Sequence, residues 1–197
     1  GGAAGAGAGN GGGGGVGGSV TANFQGGISG ALTLDDGTAG TAGAAGTGIE
    51  GAAGAAGTVT VNLTGTAART IGSVVAAGDG EGALVINNAG AGVTTFTGDV
   101  GSSTAALLSL TQTNGLATFS GDVFAQTITA GTADAANFDG DVTAATALNI
   151  AAGGATFAGD VTAATAFAFT AAGTMTLDGT GDQTITGAIT TGTDVQG

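Results

Sequence analysis

Four stretches of this chain superimpose without gaps on the pattern Phe-x-Gly-Asp-Val: Phe96 to Val100, Phe119 to Val123, Phe138 to Val142 and Phe157 to Val161. The Phe-to-Phe spacings are 23, 19 and 19 residues. Recurrence at such a period is the mark of a stacked-repeat architecture, in which no single unit buries its apolar face alone. A period of 19–23 residues holds two or three short strands and the turns that join them. Near-identical residues at fixed offsets favour parallel coils, which stack like on like. Antiparallel hairpins are the competing arrangement.

The similarity extends beyond the five-residue core. Thr104, Thr127, Thr146 and Thr165 each lie eight residues after a Phe, and Leu108, Ile150 and Phe169 lie twelve after. Weaker copies are read at Phe24 to Ile28, at Leu63 to Gly65 and at Leu177 to Gly179. Within the core, the four-residue separation of Phe and Val predicts that both face the same side of one extended strand. The intervening Gly then admits a neighbouring coil or a bulge. A second strand is expected around Thr146 to Ile150 and Thr165 to Phe169, where apolar residues alternate, and Gly153-Gly154 closes a turn.

Composition supports a thin, strand-built core. The chain has 45 Gly among 197 residues and no Pro, Cys, His, Trp or Tyr. Its apolar fraction is mostly Ala, so a globular core gains little at roughly 25 cal/mol per Å² buried. Gly costs about 1 kcal/mol relative to Ala inside a helix, and Thr and Val are mediocre helix formers. The predicted fold class is therefore all-β: a parallel β-solenoid (β-helix) with 19–23 residues per coil, accompanied by Gly-rich ordered or flexible segments.

Two segments depart from the repeat. Residues 1–19 form a Gly-rich stretch of linker composition, and solenoid repeats are assigned to 20–197, with a Gly-xx-type insertion at about 35–57. There Gly37, Gly40, Gly43 and Gly46 recur every third residue, as do Gly48, Gly51, Gly54 and Gly57. That spacing suits close-packed polyglycine-II-like strands, where only Gly fits at a crowded axis. A disordered insertion is the alternative.

The charge balance narrows the partners. Fourteen acidic residues face a single basic one, Arg69, for a net charge of −13. Nothing here neutralises phosphates, so nucleic acid is excluded as a partner. No run is long and apolar enough for a membrane helix, so membrane insertion of this segment is not expected. The chain lacks an initiating Met and ends in a repeat-like run, and is read as an internal or processed piece.

Catalysis lacks its parts. Without His, Cys, Lys or Tyr there is no triad, thiolate or Schiff-base chemistry. Paired carboxylates can cleave glycosides, but basic and aromatic sugar-holding residues are scarce here. The chain is read as not an enzyme, with no cofactor-binding residues. One constellation carries chemistry: stacked copies place Asp99, Asp122, Asp141 and Asp160 in a ladder with the inter-strand spacing of about 4.8 Å. Like charges so close repel unless they are solvated or bridged by cations. The four are candidate metal ligands, with calcium as the candidate cofactor because it accepts carboxylate oxygens. Turn chemistry, with each Asp capping its own backbone, is the competing reading. Gly78-Asp79-Gly80-Glu81-Gly82 is a second acidic motif. Thr-x-Thr pairs lie at different offsets from the repeat, so they do not form one regular hydroxyl face; only the column 104, 127, 146, 165 is expected to stay in register.

Segments such as Thr60 to Gly72 and Thr95 to Val100 resemble the bacterial surface β-strand-repeat proteins, among them autotransporter-type adhesin passengers and surface-layer proteins. The resemblance covers residues 58–197 and lies in composition and repeat texture. It implies secretion, a location that is extracellular or on the bacterial cell surface, solenoid architecture, and a role in adhesion, coating or filament building. The expected function is an extracellular structural protein that self-assembles as a homo-oligomer or polymer into a surface layer or filament, assisted by calcium. A passive stalk of a monomeric adhesin is the alternative.

Overall fold

The computed structural model describes residues 14–28, 30–41, 58–90, 92–170 and 172–191. The chain is all-β, without helix among those residues: a parallel β-solenoid of about six turns with about 22 residues per turn. Two compact units are present, Gly1–Thr21 with Asp35–Val59, and Ala22–Leu34 with Thr60–Gly197. The solenoid lies in the second.

In chain order the early strands are β1 (Val20–Phe24), β2 (Leu32–Leu34), β3 (Val59–Gly65), β4 (Arg69–Ile71), β5 (Val74–Ala76) and β6 (Glu81–Asn88). Then come β7 (Thr94–Phe96), β8 (Leu107–Asn114), β9 (Ala117–Phe119), β10 (Val123–Ala130), β11 (Ala136–Phe138) and β12 (Val142–Ile150). The last are β13 (Ala155–Phe157), β14 (Val161–Ala163), β15 (Ala166–Phe169), β16 (Met175–Leu177), β17 (Ile185–Thr186) and β18 (Ile189–Thr191). The long strands form one sheet in the order β1-β3-β6-β8-β10-β12-β14-β17, with β15 beside β12 and β18 beside β15. A second sheet has the order β16-β13-β11-β9-β7-β4, and β2 pairs with β5.

Register places like on like: three continuous inward columns run through the core, beside a fourth set of inward residues, Leu63, Ile86, Gln112, Ala130 and Ile150. The first runs Ile71, Phe96, Phe119, Phe138, Phe157, Leu177. Its four rings stack almost parallel, with centroids 4.8, 4.7 and 5.0 Å apart. Those separations match the strand spacing, so one Phe per coil fills the same slot in four successive coils. The second column runs Leu32, Val74, Val100, Val123, Val142, Val161, Ile185. The third runs Val61, Leu84, Leu110, Ile128, Leu148, Phe167, Ile189. Ala fills intervening inward positions in three successive coils, Ala125, Ala144 and Ala163, and Leu107 takes the equivalent position one coil earlier.

Several sequence expectations change. Phe and Val of each repeat do face the same core, but not from one strand: Phe119 closes β9 in the shorter sheet and Val123 opens β10 in the longer one. The Gly-Asp pair between them is the corner. Leu63 is not a copy of the Phe position, because it pairs with Ile86 in the long sheet while Ile71 takes the Phe slot. Likewise Ile28, rather than Phe24, meets Ile71. The Thr column is broken: Thr127 pairs with Ala147, since Ala145 and Thr146 bulge against Gln126, and Thr104 belongs to the tight turn Ser102–Ala105. Leu108 points outward for the same reason, as the turn shifts Leu110 into the inward column.

In the first unit, Gly40 donates its N–H to the Gly15 carbonyl at 2.9 Å. A Cβ on Gly40 would strike Gly15, and one on Gly37 would strike Gly18. Glycines three apart on one segment thus oppose glycines three apart on another, with no room for a side chain between them. The rest of the Gly-xx series, from Gly43 to Gly57, and residues 1–13 of the N-terminal stretch lie outside the described residues.

The Phe column predicts a graded response to truncation. Phe138→Ala removes a fully packed ring between two others and is expected to cost about 3–5 kcal/mol in urea unfolding. Phe138→Leu, which copies the Leu177 end of the column, is expected to cost clearly less. Equal losses for the two would contradict the packing described.

Candidate functional site

The Asp residues singled out by sequence do come together, on one corner of the solenoid. Oδ1 of Asp99 accepts from the Asp122 N–H at 3.0 Å. Oδ1 of Asp122 accepts from the Asp141 N–H, and Oδ1 of Asp141 from the Asp160 N–H, both at 2.9 Å. The series ends with the Thr184 N–H on Oδ1 of Asp160 at 2.8 Å. Each carboxylate therefore caps the backbone of the following coil, not its own. Bonds of the opposite sense run beside them: Val100, Val123 and Val142 donate to the carbonyls of Asp122, Asp141 and Asp160 at 2.8–2.9 Å. A corner normally leaves strand N–H groups without a ladder partner; here the side chain supplies the acceptor.

The preceding Gly follows from the same geometry. A Cβ on Gly121 would collide with Oδ1 of Asp99 and the Gly98 backbone. One on Gly140 would meet Gly121 and Oδ1 of Asp122, and one on Gly159 would meet Gly140 and Oδ1 of Asp141. The carboxylate of one coil occupies the volume that a side chain on the next would need. Gly-Asp is thus one device repeated, in which Gly makes room for the Asp below.

Among the described residues no group of three acidic, His or Cys side chains is arranged to hold a metal ion. Asp99, Asp141 and Asp160 are exposed, and Asp122 is half-buried. The ladder presents carboxylates one per coil, each using one oxygen to hold the next coil.

A second corner, where the long strands turn toward the shorter sheet, is held by buried amides that sequence reasoning missed. Gln112 sits in a column otherwise apolar. Its Nε2 donates to the carbonyls of Gly115 at 2.6 Å and Asp134 at 2.8 Å, and its Oε1 accepts from the Gly131 N–H at 2.6 Å. Asp134 returns the bond through Oδ2 to the Gly115 N–H at 2.7 Å. One level earlier, Asn88 donates to the Gly92 carbonyl at 2.6 Å and accepts from Arg69 at 3.1 Å. Arg69 also donates to the carbonyls of Phe24 at 2.9 Å and Thr64 at 2.6 Å. The sole cation of the chain is therefore a buried clamp across three levels, and desolvation holds its pKa below the ordinary arginine value. No repeat marks these residues, which is why a pattern search passes over them.

Compared with known proteins, the chain matches no family model, no curated protein and no solved structure.

If the Asp works as an acceptor, its charge is dispensable and its oxygen is not. Asp122→Asn is expected to stay close to wild type in urea unfolding, whereas Asp122→Ala loses about 1 kcal/mol. Gly121→Ala, which pushes a methyl into the Asp99 carboxylate, is expected to lose about 1–3 kcal/mol. A neutral Asp122→Ala with a damaging Asp122→Asn would reverse the assignment.

Proposed function

We propose that this chain is a non-catalytic structural segment of an extracellular or bacterial cell-surface protein, and that it self-assembles end to end into a filament or layer. The observation that carries this reading is the state of the apolar columns at their last described level. Leu177 in the Phe column is 44% exposed, and Ile189 in the third column is 59% exposed, whereas their partners Phe157 and Phe167 are fully buried. Among the described residues, strands β16, β17 and β18 also have a ladder neighbour on one side only. A parallel edge with exposed apolar side chains is a template for another coil of the same shape. A second copy of this chain supplies one, with backbone groups and column residues at matching spacing.

The resemblance to bacterial surface β-strand-repeat proteins supports the same reading, since a rod of stacked coils suits a coat, filament or adhesin. Among the described residues no helix is long and apolar enough to cross a membrane. The net charge of −13 spreads repulsion along the rod and favours contact at its ends over its sides. Calcium enters this proposal as an assistant, bridging the Asp99, Asp122, Asp141 and Asp160 carboxylates of one rod or of neighbouring rods. The second reading is a passive stalk within a monomeric adhesin, in which a further coil of the same polypeptide takes the place of the second copy.

Light scattering and negative-stain imaging of the purified chain, with calcium and with chelator, separate these. Ordered filaments or sheets that chelator dissolves support both assembly and the metal. Calcium-independent polymers keep assembly and remove the metal. A soluble monomeric rod in both conditions overturns self-assembly and leaves the stalk. In the assembly case, Leu177→Asp with Ile189→Asp is expected to abolish polymers while the far-ultraviolet β signal is retained.

A further inference from the structure

The repeat is broken in one region, and several departures from it meet there. From the second column to the third, the chain takes five residues between Val123 and Ile128, and six between Val142 and Leu148 and between Val161 and Phe167. It takes ten between Val74 and Leu84, and ten again between Val100 and Leu110. In these two adjacent coils the surplus is the acidic turn Gly78-Asp79-Gly80-Glu81-Gly82 and the tight turn Ser102–Ala105. The two are tied together: Ala106 donates its N–H to Oδ1 of Asp79 at 3.1 Å and accepts from the Gly80 N–H at 2.8 Å. Ser102 and Ala105 close their turn through paired backbone bonds at 3.0 and 3.3 Å. In the following two coils lie the half-buried ring of Phe124 and the bulge at Ala145 and Thr146.

Phe124 is out of pattern. Its ladder equivalents in the next three coils are Thr143, Thr162 and Thr186. The column faces outward, away from the core that holds Phe96, Phe119, Phe138 and Phe157. A large ring therefore stands on the outer surface where the repeat specifies Thr. Gly101, at φ +74°, lies so close against the Phe124 backbone that no side chain fits there. Between ring and turns is a cavity of about 290 Å³, lined by Asp79, Ser102, Ser103, Phe124, Thr143 and Ala145 among others. Nothing in the columns requires any of this, since the inward register passes unbroken from Leu84 through Leu110 to Ile128.

We infer that this cavity is a binding subsite for one neutral pyranose ring of a glycan. A pyranose carries an apolar C–H face and a rim of hydroxyls, and the cavity offers the complement. The Phe124 ring is the apolar wall, and small Ala145 leaves the space beside it. Asp79, oriented by its bond from Ala106, is the acceptor for sugar hydroxyls, and Ser102, Ser103 and Thr143 supply further hydroxyl partners. Few polar groups placed around an apolar wall is the general form of a small-ligand site, and insertions between repeats of a solenoid often line its binding face. The charge of −13 disfavours uronic or sialic acids. The site does not depend on end-to-end assembly, so it stands or falls separately from the function proposed above.

The test is a titration of the full chain with neutral cello-, chito- and galacto-oligosaccharides, followed by NMR of the Phe ring signals. At least one series is expected to shift the Phe124 ring saturably, while galacturonate oligomers do so more weakly. Phe124→Thr restores the repeat and therefore folds; it is expected to weaken that binding at least about tenfold. Deletion of Ser102 to Ala105, which shortens the coil to the common length, is expected to do the same. The inference is overturned if no neutral series moves Phe124, or if binding survives Phe124→Thr. It is also overturned if a lysine-rich peptide shifts the ring and the sugars do not, which would make the cavity a cation pocket.

Discussion

The side-chain bond from each Asp to the backbone of the next coil is the interaction on which the rest of this solenoid depends. A coil must turn sharply between its short and long strands, and at a turn the parallel ladder has no strand partner for its N–H groups. At this exposed corner such an N–H would otherwise bond only to water, so a bond to the neighbouring coil is what ties the levels together there. The Gly-Asp pair resolves this in the same way at four successive levels: a carboxylate oxygen continues the ladder across the corner, and the missing Cβ above leaves room for it. Once the corner repeats, so does everything attached to it. Phe is held three residues before the Asp and Val one residue after, so like residues fall above like and the columns follow.

Those columns explain how so meagre a composition sustains a fold. The core is only about four side chains wide in each coil, a Phe, a Val and a Leu or Ile beside a further position held by residues such as Leu63, Ile86 and Ile150, yet it continues from coil to coil. Phe96, Phe119, Phe138, Phe157 and Phe167 are the largest of the fully buried side chains. At about 1.5–3 kcal/mol for each large side chain buried, the columns offset the backbone entropy of a Gly-rich chain only because nearly every strand residue is also bonded to its neighbours above and below. Stability in such a stack is a sum of coil and interface terms, which is why regularity matters more here than the quality of any single contact.

How much of this was legible in sequence depended on whether a residue took part in the repeat. The parallel solenoid, the coil length and the stacking of the four Phe followed from Phe-x-Gly-Asp-Val. So did the Asp ladder, although its bonds go to the next coil instead of the Asp's own turn, a distinction that only three-dimensional register reveals. Fixed offsets counted from Phe failed wherever residues were inserted: the Ser102–Ala105 turn moved Leu108 outward, and the Ala145–Thr146 bulge split the Thr column. The buried clamps Arg69, Asn88 and Gln112 were invisible because each occurs once, in a position where other coils place something different. Phe124 was equally silent, since composition does not distinguish an outward ring from the inward ones that outnumber it.

Amide hydrogen exchange measures directly whether the corner carboxylates continue the backbone ladder. The N–H groups of Asp122, Asp141, Asp160 and Thr184 sit at an exposed corner, where unpaired amides exchange as fast as those of a mobile loop. All four are expected to be protected to nearly the same degree as the neighbouring strand amides of Val123, Val142 and Val161. Fast exchange at these four positions, with the strands still protected, would contradict it.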